Sequence, residues 1–178
     1  MWLCKSTCAR LGLLAAGLVL SLSACGYHLQ GTGGSSLPPN IKKIHVPIFT
    51  NNTVEQGIAV RVTDSVRNAL LNDGRVSLAS GIADADAVLE GQILQYRLRA
   101  IAFSTADRAQ ELRLRLTMKV SLRELESNKV IFNQTIVSDR EYRVTTNLSS
   151  NEREQTQASQ QASDAIAREL QSLLIEGF

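Results

Sequence analysis

The stretch Leu112-Arg113-Leu114-Arg115-Leu116-Thr117-Met118-Lys119-Val120-Ser121-Leu122-Arg123 alternates apolar and polar residues without a break. A period of two is the signature of a β-strand with one face in a core and the other in water. A half-solvated strand belongs to an antiparallel sheet covered on one side only. Downstream, Glu126-Ser127-Asn128 suits a three-residue hairpin loop, with Asn128 tolerating the left-handed position. The next strand is then Val130 to Val144. Pairing Leu125 with Lys129 sets Leu122 opposite Phe132 and Met118 opposite Ile136, so the apolar faces match. The same register sets Arg115 opposite Asp139 and Arg113 opposite Glu141 on the outer face.

Upstream, Ala87 to Phe103 reads as a long strand with Leu94, Tyr96 and Leu98 on one side. Matching Leu98 to Leu116 places Arg99 beside Arg115 and Ile101 beside Arg113. The loop Ser104–Gln110, carrying Arg108, then lies at the sheet end that holds Tyr142 and Arg143. Ile41 to Phe49 reads as a further strand, and Pro47 marks its end or a sheet edge. Ile58, Val62, Val66, Ala69 and Leu70 recur at helical spacing within residues 54–72, and Asp73-Gly74 is a helix stop. Residues 75–79 form a candidate short strand, and Asp84 to Asp86 a turn. A last helix has Ala158, Ala162, Ile166, Leu170 and Leu173 facing inward, with Ser149-x-x-Glu152 as a capping box at its start. The fold class expected is α+β: two helices packed on one face of a mostly antiparallel sheet of about four strands.

The chain has 178 residues and a net charge of +2, and Lys5 and Arg10 account for both surplus charges. Everything after residue 24 is neutral, which argues against a nucleic-acid binder that relies on overall basicity. Leu11 to Leu22 is an apolar run of 12 residues, too short to span a bilayer. A basic start, this run and the small residues after it read as a signal peptide over 1–24. Leu22-Ser23-Ala24-Cys25 resembles the bacterial lipobox, in which the cysteine receives a diacylglyceryl group and becomes the acylated amino terminus. Cys25 is then the lipid attachment residue and the sole mature cysteine, so no intramolecular disulfide forms. Two or more acyl chains, palmitate among them, give stable anchoring. Residues 25–40 are a Gly/Pro/Ser-rich tether, and 41–178 form a single periplasmic domain. Gly26 stands where inner-membrane retention signals often carry Asp, which favours the outer membrane, with the domain facing the periplasm.

Catalysis finds little support. His28 lies in the tether and His45 in the first strand, and the mature chain has no Cys/His metal spacing, nucleophile elbow or phosphate-cradling Gly loop. No enzyme activity, metal or cofactor is expected beyond the lipid on Cys25. The arginine row has two readings. One is a solvated, self-paired sheet face. The other is a surface where Arg99, Arg108, Arg113 and Arg143, beside Phe103, meet an amphiphile with phosphates, which guanidinium groups bind through two hydrogen bonds.

Several stretches together resemble the LPS-assembly lipoprotein family (LptE, also called RlpB). They are Cys25-Gly26-Tyr27-His28-Leu29 with Gly31, Leu37-Pro38-Pro39, Ile44 to Phe49 followed by Asn51-Asn52-Thr53, and Ala83-Asp84-Ala85-Asp86-Ala87-Val88-Leu89-Glu90-Gly91. The resemblance implies an outer-membrane lipoprotein in complex with the LPS-assembly β-barrel (LptD). It also implies a role as plug and barrel-assembly factor, and lipopolysaccharide binding at basic residues near the sheet tip. The alternative is an envelope lipoprotein that activates a peptidoglycan synthase or serves another secretion complex.

Overall fold

The computed structural model describes residues 37–104 and 108–175. Cys25, the signal segment and the tether as far as residue 36 lie outside the described residues. In chain order the elements are β1 (Lys43–His45), β2 (Thr50–Asn51), α1 (Ile58–Asp73), β3 (Ser77–Leu78), β4 (Ala87–Phe103), β5 (Ala109–Glu124), β6 (Val130–Arg143) and α2 (Leu148–Ile175). The sheet runs β3-β1-β4-β5-β6, with β2 also beside β4. β4, β5 and β6 form an antiparallel meander, while β1 pairs in parallel with β3 and β4, and β2 in parallel with β4. The sheet is therefore mixed and, among the described residues, has six strands, three of them only two or three residues long.

The alternation of β5 decides the layers. Leu114, Leu116, Met118, Val120 and Leu122 are fully buried under the helices, and Arg113, Arg115 and Lys119 are exposed on the other face. Ile58, Val62, Val66 and Leu70 of α1 and Ala158, Ala162, Ile166 and Leu170 of α2 complete the core. Each large aliphatic side chain so buried contributes roughly 1.5–3 kcal/mol. Polar bonds stitch the two helices together. The Ser65 hydroxyl donates to Asp164 Oδ1 at 2.7 Å, and Gln171 Nε2 donates to Asp73 Oδ2 at 2.9 Å. Residues 65 and 73 meet 164 and 171 in that order, so the helices lie side by side in the same direction.

The register of β5 with β6 is as expected over the apolar rungs: Leu122 faces Phe132, Met118 faces Ile136, Arg115 faces Asp139 and Arg113 faces Glu141. Asn128 has φ 55, the left-handed conformation anticipated for the turn. Leu125 does not pair with Lys129. A register shift beside Leu122 brings Arg123 opposite Val130, and the Glu124 N–H donates to the Lys129 carbonyl at 2.9 Å.

Three further expectations are corrected. Leu94 does not share a face with Tyr96 and Leu98, because a bulge between Ile93 and Gln95 leaves it outside the ladder. The Ile41–Phe49 strand is only Lys43–His45, and it lies inside the sheet between β3 and β4 rather than at an edge. The cap of α2 is Asn147, whose Oδ1 accepts from the Ser150 N–H at 3.1 Å. Ser149 already lies within the helix. Asn151 secures this cap by donating from Nδ2 to the Thr145 carbonyl and accepting the Thr145 N–H, both at 2.8 Å. Gly74 (φ 75) closes α1 as the sequence indicates.

Two sequence motifs have structural explanations. Val46 to Thr53 seats α1. Arg67 donates from Nε and Nη2 to the Val46 carbonyl at 3.1 and 2.6 Å, and the Phe49 N–H donates to Thr63 Oγ1 at 3.0 Å. Asn51 Oδ1 then accepts from the Thr53 N–H and hydroxyl at 3.0 and 2.7 Å. Such an Asx turn redirects the chain toward the helix. In the Ala83–Gly91 motif, Asp86 Oδ2 accepts the N–H groups of Lys42 and Lys43, each at 2.8 Å, and so clamps β1 to the start of β4. The same base of the sheet receives the incoming chain. Leu37 and Ile41 are buried there, and Asn40 Nδ2 donates to Glu124 Oε1 at 2.6 Å.

Those two backbone bonds hold the Asp86 carboxyl below the ordinary carboxylate range. A folded-state value below the unfolded one stabilises the protein above the unfolded value, about pH 4. That contribution is lost as the pH falls through the depressed folded value. Asp86→Ala is therefore expected to lower stability at pH 7 by about 2 kcal/mol, the size of lost hydrogen bonds to a charged group. Asp86→Asn keeps an acceptor oxygen, so it should restore part of the loss and flatten the fall at acid pH. Urea unfolding at pH 7 and at pH 3 reads both effects. An alanine variant as stable as the parent would remove the clamp from the account.

Candidate functional site

The outer face of the β4–β5–β6 meander carries the charges, and antiparallel pairing arranges them in rungs. Arg97, Arg115 and Asp139 form one rung, and Arg99, Arg113 and Glu141 the next toward the tip. Beyond them Glu111 stands opposite Arg143, and Phe103 opposite Ala109. Arg115 grips Asp139 with two bonds, from Nε to Oδ1 at 2.8 Å and from Nη2 to Oδ2 at 2.6 Å. Arg113 places Nε and Nη2 on Glu141 Oε1 at 3.0 and 2.6 Å. Arg143 Nε reaches Glu111 Oε1 at 3.3 Å while its side chain stays 86% exposed.

The hydrogen bonds from Arg115 hold the Asp139 carboxyl below its usual range, and the same pairing raises the Arg115 guanidinium. Exposed ion pairs of this kind are screened by water and contribute little to stability. On the β4 side the rungs end in unsatisfied charge. Arg97 and Arg99 are exposed, and among the described residues no hydrogen bond or ion pair engages either guanidinium. Each faces another arginine across the strand pair, and like charges directly opposite destabilise a sheet. The Arg97–Arg115–Asp139 and Arg99–Arg113–Glu141 rungs thus each carry one more positive than negative charge.

The structure brings Arg99 and Arg113 together as direct cross-strand neighbours. Arg143 lies across β5 at the next rung. Arg108 closes the β4–β5 connection, where the Ser104 N–H donates to the Arg108 carbonyl at 2.8 Å and the Arg108 N–H donates to Ser104 Oγ at 3.2 Å. The β4–β5 register expected from Leu98 opposite Leu116 is wrong by two residues. Leu98 faces Leu114, Arg99 faces Arg113 rather than Arg115, and Ile101 has no partner at all because it is bulged. The cause is that β5 starts at Ala109, which shortens the connection to Ser104–Arg108. That error hid Arg97. Its signal was nonetheless present in Tyr96-Arg97-Leu98-Arg99, an alternation in phase with that of β5.

On the helix-covered face at this end, Tyr96 Oη and Ser159 Oγ lie 2.7 Å apart and Gln155 Nε2 donates to Tyr96 Oη at 3.3 Å. Tyr142 is buried, which pushes its phenol up to about 12. These groups fasten α2 to the sheet beneath the arginines. A shallow hollow of about 380 Å³ between β6 and α2 is lined by Glu141, Tyr142, Arg143 and Glu154 among others. Among the described residues no cluster of three or more His, Cys, Asp and Glu is placed to hold a metal. His45 Nδ1 lies 3.2 Å from the Ala79 carbonyl oxygen, a bond that ties β1 to the segment after β3. No helix among the described residues is long and apolar enough to cross a membrane.

The architecture is a mixed sheet backed by two helices on one face, with the other face open and charged. Solved bacterial lipoprotein structures share the fold. One from Caulobacter crescentus CB15 superimposes with a TM-score of 0.54 at 15% identity, covering 71% of this chain and 86% of its own. A minor lipoprotein from Acinetobacter baumannii gives 0.52 at 16%, covering 77% and 92%. Lipoprotein B from Nitrosomonas europaea gives 0.52 at 15%, covering 83% and 92%. At such identities the likeness is one of fold. No curated protein matches the chain in sequence. The model of the lipopolysaccharide-assembly family LptE matches residues 41–175. The chain belongs to that family.

Proposed function

We propose that the protein is a non-catalytic outer-membrane lipoprotein that binds lipopolysaccharide and partners the LPS-assembly β-barrel (LptD), as plug and assembly factor. The observation that carries this reading is the family match over residues 41–175. Acyl chains on Cys25 hold the domain at the periplasmic side of the outer membrane. The domain fills the barrel lumen and supports its closure. Arg99, Arg108, Arg113 and Arg143 present guanidinium groups to lipid phosphates, which guanidinium matches with paired hydrogen bonds. The uncompensated positive charge of the rungs favours an anionic ligand there.

Affinity purification of the full-length protein from detergent-solubilised outer membranes tests the partnership. A large β-barrel protein is expected at one-to-one stoichiometry. Recovery of a peptidoglycan synthase, or of no barrel, overturns this reading in favour of the alternative envelope role.

A further inference from the structure

We infer that the open edge of β4, from Gln95 to Ala100, takes up an extended segment of another protein in which acidic and apolar side chains alternate. The inference does not rest on lipid binding, because Arg97, its central charge, lies outside the set assigned to lipid phosphate.

Backbone pairing makes the first argument. At its base β4 is paired on both sides, with β5 on one and with β1 and then β2 on the other. The last bond on the second side runs from the Asn52 N–H to the Ile93 carbonyl at 3.0 Å. From Leu94 onward, among the described residues, no strand pairs with that side. Bulges at Leu94 and Ile101 bound a regular run, Gln95–Ala100, that is in unbroken register with β5. Exposed edges are usually blunted by proline, charge or bulges. Here the bulges lie only at the two ends, and the charges of Arg97 and Arg99 lie on the outer face. Between the bulges the run has no proline, no lysine and no inward-pointing charge. Its free N–H and C=O groups form a template for one more strand.

Side-chain chemistry selects the occupant. On the outer face Arg97 and Arg99 already have arginines beside them on β5. A strand added on the open side places its own outward side chains directly next to both, where only carboxylates relieve the repulsion. On the helix-covered face Leu98 remains 37% exposed, although Leu114 opposite it is fully buried. The added strand's inward side chains meet this apolar shoulder. Period-two alternation of the occupant follows from strand geometry. The other edge, β6, makes no comparable demand, since Asp139, Glu141 and Arg143 are already engaged by β5. A second copy using β4 against β4 would bring Arg97 and Arg99 against their own kind, which disfavours a symmetric dimer at this edge.

The test places photoreactive p-benzoylphenylalanine at Leu98 of the full-length, membrane-bound protein and sequences the adducts. Val137, on the outer face of β6 and 53% exposed, is the control position. The expected result is a peptide adduct from one partner, at Leu98 alone, whose sequence alternates acidic and apolar residues. Arg97→Glu should lower its yield at least tenfold with an unfolding midpoint no lower than the parent's, since the new carboxylate faces Arg115. Lipid adducts alone, a partner segment without alternation, an adduct to a second copy of the chain, or a yield indifferent to Arg97→Glu would each overturn the proposal.

Discussion

Gly91→Val should cost about 3 kcal/mol of stability, at the upper end of what overpacking a core costs. A Cβ at Gly91 would fall 2.8 Å from Cγ and Cδ1 of Phe49, and closer still to Met118 Cε. The methionine end can turn aside. The phenylalanine ring has no such freedom, because Phe49 is 3% exposed and its N–H is fixed to Thr63 Oγ1 on α1. The ring lies on β4 at the one position without a side chain, so the loop before α1 can press against the sheet. A urea unfolding midpoint reads the effect. Adding Phe49→Leu to a Gly91→Ala variant should recover part of the loss, as expected for side chains in contact. A valine variant with the parent's midpoint would show that the loop, not the ring, sets the spacing.

Arg99→Glu should move stability and ligand binding in opposite directions. The new carboxylate faces Arg113 in place of a like charge, so the sheet should gain about 0.2–1 kcal/mol. Binding of lipopolysaccharide should fall tenfold or more, since one hydrogen bond between charged groups contributes about 1.5–3 kcal/mol and 1.4 kcal/mol is tenfold in affinity. A merely damaged protein would lose both properties together. Titration of purified protein with labelled lipopolysaccharide, beside an unfolding curve, separates the cases. Unchanged affinity in a more stable variant would take the lipid away from this surface. Arg143→Glu is the useful comparison, because Arg143 already shares its charge with Glu111 at 3.3 Å and should show a smaller change.

The parts of the fold legible in the sequence are those where one periodicity runs unbroken. β5 alternates for twelve residues and β6 returns through a short turn. Their register followed from matching apolar faces, and with it the Arg113–Glu141 and Arg115–Asp139 pairs. Both helices were legible for the same reason. β4 was located end to end, yet its register was not, because a slip of two residues keeps apolar opposite apolar and polar opposite polar. Leu98 matches Leu116 and Leu114 equally well by alternation, and only the shorter β4–β5 connection sets Arg99 beside Arg113. The parallel strands β1, β2 and β3 are too short to show any period. Asp86 holds β1 and Asn51 shapes the turn after β2, through a carboxylate and an amide that bond to distant or turned backbone, a fact that no spacing in the sequence reveals. The α2 cap was misplaced because Ser149 and Asn147 are both good capping residues, and only the backbone decides between them.

The described chain enters at the base, where Ile44 pairs with Ala87, and Arg99 stands twelve residues further along the same strand. At about 3.3 Å per residue, β4 carries that guanidinium roughly 40 Å from the point of entry. The apolar layer of a bilayer is only about 30 Å thick. Stood upright beside or within such a layer, this one sheet is a rod that outreaches it. On the reading proposed above, a domain anchored at one surface is thus tall enough to present its arginines at the level of the opposite headgroups without unfolding.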